Sequence, residues 1–384
     1  MSIPSTAEIV IIGGGVMGTS TAYHLALRGL KDIVLLESES FFGTGATGRC
    51  AGGVRYQFGT PINVMLSIES LRMLEYFKEE LGQEINFRKC GYLFVLTEER
   101  QVQIFHHNVE MQRSLGVETQ WLSGDEVRRR LPLMSFDDAL AGTFNPGEGL
   151  VDPNSVVSGY VAAAQRLGAS LLTGTPATGI RIQGGRVQAV ETPAGTIATP
   201  LILNAAGPWA SQIARMADLE LPITPIRRQW FTTTGLPELP PDFPFVIDFG
   251  QSLYFHREGE GLLIGMSNQD EEPGYSQAVD EDFELVNAEA AMARMPLLDR
   301  AGRASHAAGL YEVTPDAHPV LGRTPVDGLL LVGGFSGHGF MHGPVAGKLM
   351  SELILDGEFR TIDVSMLDLA RFVEDRLVQE YNVV

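Results

Sequence analysis

Cysteine is scarce in this 384-residue chain: Cys50 and Cys90 are the only two, and no Cys-x-x-Cys occurs. That excludes a disulfide-stapled scaffold and a cysteine-type zinc site, and it fits a reducing cytoplasm. Long apolar runs are missing as well. No stretch is long enough to span a bilayer, and the N-terminus lacks a basic-then-apolar leader, so neither a membrane span nor a signal peptide is expected. Basic residues are outnumbered, 28 Lys and Arg against 47 Asp and Glu, for a net charge of −19. So acidic a chain is repelled by nucleic acid and by anionic membranes, and neither is an expected partner. Internal repeats and low-complexity tracts are absent too.

Glycine, in contrast, is plentiful and clustered. Ile9-Val10-Ile11-Ile12 is short, apolar and β-branched, the pattern of a strand buried on both faces. Gly13, Gly15 and Gly18 then give G-x-G-x-x-G before a helical run to Arg28. Such glycines provide a tight turn, close approach of backbone to a pyrophosphate, and close helix–strand packing. The helix start offers free N–H groups and the positive end of a dipole. A second apolar strand, Ile33-Val34-Leu35-Leu36, ends on Glu37, about 20 residues past the glycines, where a carboxylate can bind a ribose hydroxyl.

Further along, the small-residue stretch Gly43 to Gly53 suggests backbone lying against a flat ligand, with Arg49 and Arg55 in or beside it. Residues 61–82 predict one helix, with Ile62, Met65, Leu66, Leu74, Phe77 and Leu81 at helical spacing. Residues 91–97 predict a strand, and residues 98–115 a polar helix on which the adjacent His106 and His107 point apart. Gly184-Gly185 marks a hairpin. Leu201 to Gly207 is again a buried strand running into glycine, with a helix over 209–216 behind it. From Pro225 a mostly antiparallel sheet is expected, with strands near 227–234, 245–247, 253–256 and 262–265, followed by a helix over 280–295. Leu329 to Val332 leads into the glycine loop 333–344, with a helix from Val345 to Leu355.

Three segments carry a resemblance to the flavin amine oxidoreductases grouped with D-amino-acid oxidase, including glycine oxidase, the sarcosine oxidases and the proline dehydrogenase β-subunit. They are Ala46-Thr47-Gly48-Arg49-Cys50 with Val54-Arg55, Gly309 to Asp316, and Gly334 to Phe340. The resemblance implies an α/β chain (α+β overall), a Rossmann-type FAD-binding domain with a mostly antiparallel-sheet substrate domain inserted. Residues 1–87, 146–222 and 306–384 would form the first, and 88–145 and 223–305 the second. It implies FAD against Gly13, Gly15, Val16, Met17, Gly18, Glu37 and Ser38 at one end. Gly45, Ala46, Thr47, Arg49, Cys50, Ala51 and Gly52 would lie beside the flavin ring, and Ala177, Ala206 and Gly207 near the adenosine half. Gly309, Gly334, Gly337, His338, Gly339, Phe340 and Met341 would complete the flavin site.

For the substrate, the resemblance points to Arg55 as the carboxylate anchor and to Tyr311 and Tyr254 as active-site tyrosines. A guanidinium suits a carboxylate because it binds bidentately and stays charged. The bland readings are an ion pair for Arg55 and core packing for the tyrosines. His338 and His342 stand at i, i+4 spacing, but with no third ligand backbone contact to flavin is preferred and no metal is expected.

Departures from the family refine the expectation. The positions of flavin-tethering cysteine and histidine read Gly309 and Arg49, so FAD is expected to be non-covalent. Family lysines near the carboxylate and the oxygen site read Met341 and Leu263, which leaves oxidase and dehydrogenase both open. The implied reaction is oxidation of the C–N bond of a small amino acid of the sarcosine, proline or glycine class. Hydride passes to flavin N5 and leaves an imine that water hydrolyses. The alternatives are a 2-hydroxy-acid dehydrogenase, or one flavin subunit of a heteromeric dehydrogenase with an electron-accepting partner.

Overall fold

The structure, a computed structural model, describes residues 3–383. At its centre the strand Ile9–Ile12 is wholly buried and pairs in parallel with Ile33–Leu36 on one side and Ile202–Asn204 on the other. Ser170–Leu172 and Leu329–Gly333 extend this parallel sheet, and Val320–Arg323 adds an antiparallel edge. Apolar, β-branched runs with no polar alternation form such strands because both faces are covered, one by helices and the other by the antiparallel strands 179–183, 186–192 and 195–198 together with Ile213 and Ala217. Helix Val16–Leu27 supplies one of those covers and packs against helices Pro153–Arg166 and Gly339–Asp356.

Glycines set how close these elements come. A Cβ on Gly18 would lie 1.9 Å from the carbonyl oxygen of Gly13. Cβ atoms on Gly343 and Gly347 would lie 2.5 Å from the Val16 side chain and 2.2 Å from Ser20 Oγ. Ser20 Oγ donates to the carbonyl of Pro344 across the same contact, at 3.1 Å. The two helices therefore touch almost backbone to backbone, with their N-termini at the same end.

A second, eight-stranded sheet runs in the order 303–313, 224–233, 261–266, 253–258, 245–248, 92–96, 141–145, 120–123. It is antiparallel except where Phe245–Asp248 lies parallel to Tyr92–Leu96. One face carries Leu93, Val95, Val246, Phe255 and Ile264 into a core that helix Glu281–Arg294 helps to close. The opposite face looks toward the glycine loops of the first sheet.

The sequence expectations need two adjustments. The helix over 61–82 is two helices, Pro61–Glu75 and Phe77–Leu81, because Tyr76 leaves helical geometry (φ −98°, ψ 11°). The break turns Phe77 into the core, edge-on to Tyr160 at 5.0 Å. The last long helix begins at Gly339, six residues before the expected Val345, and runs through Pro344, so the carbonyl of Phe340 loses its helical donor. Arg303–Val313 is one continuous strand paired along its length with Thr224–Thr233. Among the described residues, no helix is long and apolar enough to cross a membrane.

Gly18→Ala is expected to destabilise the protein by about 1–3 kcal/mol, since the new methyl must push helix and strand apart. Urea unfolding of the purified protein measures this, and an unchanged midpoint would refute the backbone contact.

Candidate active site

The glycine turn, residues 44–53 and the open face of the second sheet enclose one cavity of about 560 Å³. Its first wall is the start of helix Val16–Leu27. Gly15 is the N-cap and has no side chain with which to cap the helix, and the first turn holds no acidic residue. Thr47 Oγ1 accepts from the Val16 N–H at 3.2 Å. Gly13 has φ +116°, and a Cβ there would lie 2.3 Å from the carbonyl oxygen of Ala205, so only glycine fits. Glu37 steadies the turn: Oε2 accepts from the Gly14 N–H, and Oε1 from the Glu39 N–H, both at 2.8 Å. An uncapped helix start beside a carboxylate at the second strand's end is the donor set a dinucleotide pyrophosphate and ribose require. The residues present therefore fit FAD.

The second wall is the loop with Thr47–Arg49 as a single 3-10 turn. Trp230 Nε1 donates to the Arg49 carbonyl, and Arg49 Nη1 to the Ala308 carbonyl, both at 2.9 Å, so the loop is tied to the second sheet. Burial pushes the Cys50 thiol up to about 12, which keeps it protonated.

The third wall follows from strand alternation. Arg228 and Trp230, Gly309 and Tyr311, Tyr254, Phe245 and Tyr92 all face the cavity. Three tyrosines rest on glycines. A Cβ on Gly265 would lie 2.2 Å from the Tyr254 hydroxyl, one on Gly337 2.3 Å from the Tyr311 ring, and one on Gly53 1.7 Å from the Tyr92 hydroxyl. Each glycine lets a ring lie flat across the neighbouring backbone. Burial raises the pKa of Tyr254, Tyr311 and Tyr92, so none serves readily as a base.

Arg55 is buried at the inner end. Its guanidinium lies over the Phe58 ring at 3.9 Å. Nη1 donates to the carbonyl of Gln57, and Nη2 to that of Asn382 at 2.5 Å. No carboxylate stands within ion-pair distance of it among the described residues; Glu148 and Glu380 act only through space. Each terminal nitrogen has two N–H bonds, so one on each remains for another acceptor. The segment that reaches Arg55 is anchored by Glu380, whose carboxylate accepts from the Gly59, Thr60 and Asn382 N–H groups, Thr60 Oγ1 and Asn63 Nδ2. Val383 follows it into the cavity lining.

The structure thus brings Arg55, Tyr254 and Tyr311 to one cavity with Gly13, Gly15, Val16, Met17, Glu37, Ser38, Gly45, Ala46, Thr47, Arg49, Cys50, Ala51 and Gly52. Ala177, Ala206, Gly207, Gly309, Gly337, His338, Gly339, Phe340 and Met341 line it too. Two expected residues do not. Gly18 is spent on packing under Gly13, and Gly334 turns the chain beside Thr314 (φ +79°), both behind the wall. Leu263 is buried in its strand and also stays out. The residues that sequence reasoning passed over are Tyr92, Arg228, Trp230, Glu312 and Val383. Period-2 alternation puts Arg228 and Trp230 on one face of their strand, and the pairing with Arg303–Val313 puts that face beside Tyr311. Nothing local marks Glu312, whose buried carboxyl is pushed up to about 7 with Oε2 unpartnered.

His338 is the N-cap of the last long helix, and its ring stands 5.2 Å from those of Phe58 and His342. Burial lowers both imidazoles, His342 to about 3. Among the described residues, one group brings three metal-type ligands together, Glu281, Glu284 and His306, outside the cavity lining. Arg303 already pairs with both of its carboxylates.

A parallel sheet with an uncapped helix start, joined to a sheet that roofs the same cavity, defines an FAD-dependent oxidoreductase. The chain belongs to the DAO family of FAD-dependent oxidoreductases, whose pattern residues 8–353 match. It is 32% identical over 387 residues to mitochondrial dimethylglycine dehydrogenase of Rattus norvegicus, covering 95% of this chain and 45% of that protein. It is 30% identical over 406 residues to mitochondrial sarcosine dehydrogenase of Homo sapiens, covering 99% of this chain and 44% of that one. The chain thus spans less than half the length of these two relatives. The crystal structure of L-proline dehydrogenase from P. horikoshii superposes with a TM-score of 0.90 at 31% identity, covering 98% of this chain and 100% of that one.

Buried imidazoles held neutral give a pH dependence, to which His24, His256, His318, His338 and His342 all contribute. His24 and His342, each lowered from 6.5 to about 3 by burial, favour the folded state only while uncharged. That stability is complete above the unfolded value of 6.5 and is lost as the pH falls below it. Each is expected to cost about 2 kcal/mol between pH 6.5 and about pH 5. In denaturant titrations at the two pH values His342→Gln should shrink the difference by that amount; an undiminished difference would place a charge elsewhere.

Proposed function

We propose that this protein oxidises the C–N bond of a small amino acid, giving an imine that water hydrolyses. The observation that carries the reading is Arg55, a buried guanidinium without a carboxylate partner among the described residues, in the cavity that fits FAD. FAD, when bound, supplies the acceptor for the hydride that leaves the substrate carbon. The chain's residues do the rest. Arg55 holds the substrate carboxylate through its remaining N–H bonds. Tyr254 and Tyr311 flank the substrate and exclude water. No strong base is needed if the amine enters uncharged, in keeping with the raised tyrosines and lowered His338. Dimethylglycine, sarcosine and proline are the substrates named for the three relatives, so an N-substituted amino acid is the first class to test.

The cofactor is proposed to be non-covalent, because Gly309 has no side chain to offer and Cys50 stays a thiol. Its pyrophosphate would meet residues 13–17 and its ribose Glu37. Discontinuous FAD-binding and substrate domains, with the second sheet kept whole to Val313, follow from the same reading. Met341 and Leu263 leave no lysine at the two positions where, by resemblance, monomeric sarcosine oxidase has one, and Leu263 lies outside the cavity lining, so oxygen and a partner electron acceptor both stay open.

Anaerobic bleaching of the purified yellow protein tests the reading, with N,N-dimethylglycine, sarcosine, proline, glycine, D-alanine and a 2-hydroxy acid added singly. Bleaching by the amines is expected; bleaching by the hydroxy acid alone would overturn the C–N assignment. Arg55→Met should raise the half-saturating amine concentration about ten- to hundredfold, and Arg55→Lys less. Unchanged saturation in Arg55→Met would remove Arg55 from the substrate site.

A further inference from the structure

Arg228 has no task in that reading, yet it shares the cavity. It sits opposite Gly309 on the neighbouring strand, and its guanidinium carbon lies 5.4 Å from the Tyr311 ring. Nη1 donates to the main-chain oxygens of Arg227 at 2.9 Å and Asn268 at 3.4 Å. Nε is buried with no protein partner. No carboxylate reaches ion-pair distance among the described residues; Glu271 bonds instead to the adjacent Arg227, at 3.0 Å. A guanidinium cannot shed its proton, and burying one without an anion is costly.

The cavity therefore holds two cations, Arg55, which is buried, and Arg228, which is half-buried with a buried Nε, and the field of each reaches the hydroxyl of Tyr311. FAD leaves both without an anion. Its pyrophosphate belongs at the glycine turn, and its oxidised ring system is neutral. A substrate with one carboxylate satisfies only Arg55.

We infer that Arg228 is a specificity-determining residue that binds a second carboxylate, so that the substrate is a dicarboxylic amino acid with anionic groups on both sides of the reacting nitrogen. This rests on Arg55 taking the first carboxylate. Both guanidiniums keep N–H donors for a carboxylate, and the two charges make a monocarboxylate bind with one cation left unanswered.

The test uses two thioethers that cannot form an imine, thiodiacetate and (methylthio)acetate, titrated into the FAD-loaded protein while the flavin absorbance is followed. Thiodiacetate is expected to bind about ten- to hundredfold more tightly. Arg228→Met should cut its affinity at least about tenfold more than that of (methylthio)acetate. If Arg228→Met fails to retain FAD, Arg228→Lys carries the test, with a reduced preference expected. Equal affinities in the unaltered protein, or equal losses for both ligands, overturn the dicarboxylate assignment while leaving the amino-acid reading intact. A shift of flavin reduction potential in Arg228→Met with no change in ligand preference also overturns it, because Arg228 would then serve the reduced flavin. If neither thioether perturbs the flavin and neither sarcosine nor iminodiacetate bleaches it, the amino-acid reading itself fails, and this inference with it.

Discussion

The close approach of helices Val16–Leu27 and Gly339–Asp356 underlies the rest of the molecule. Gly343 and Gly347 let Val16 and Ser20 settle directly against the second helix, and Gly18 lets the first helix sit on its own strand turn. Larger residues would separate these elements and the two helix N-termini with them. Because they are not separated, two uncapped helix starts open on one cavity, each with an unmet need for negative charge or for hydrogen-bond acceptors.

The second sheet adds the opposite kind of constraint. Its cavity face presents broad rings laid flat on glycines together with Arg228, whose guanidinium, like those of Arg49 and Arg55 in the facing loop, is held by main-chain carbonyls rather than by carboxylates. A chain of net charge −19 thus keeps a cationic pocket. Acidic groups that approach it are either occupied as acceptors, as Glu380 is, or held toward the neutral form by burial, as Glu148 and Glu312 are at about 8 and 7. The surface charge governs solubility, while the pocket governs what binds.

Much of this was legible in the linear sequence. The strand–turn–helix from Ile9 to Leu27, the acid at Glu37 and the second glycine loop depend on local rules: a buried apolar run, a positive φ, a backbone that must come close. Such rules leave marks within a few residues of where they act. The hairpin at Gly184-Gly185 is legible for the same reason. The helix boundary at Pro344 was not, because proline discourages a helix locally while the contact with Ser20 and Val16 sustains it.

The sequence by itself therefore determined the cofactor class, the parallel sheet and the glycine turn between its first strand and helix, since these follow from spacing along one stretch of chain. Tertiary structure alone decided which side chains share the substrate cavity. Arg55 meets the carbonyl of Asn382, 327 residues away, and Tyr311 lies on Gly337 while Tyr254 crosses Gly265. Arg228 faces the same space only because its strand pairs with Arg303–Val313 in that register. A register shift of one residue would turn Arg228 to the other face, and strand pairing across 80 residues leaves no trace in either strand alone.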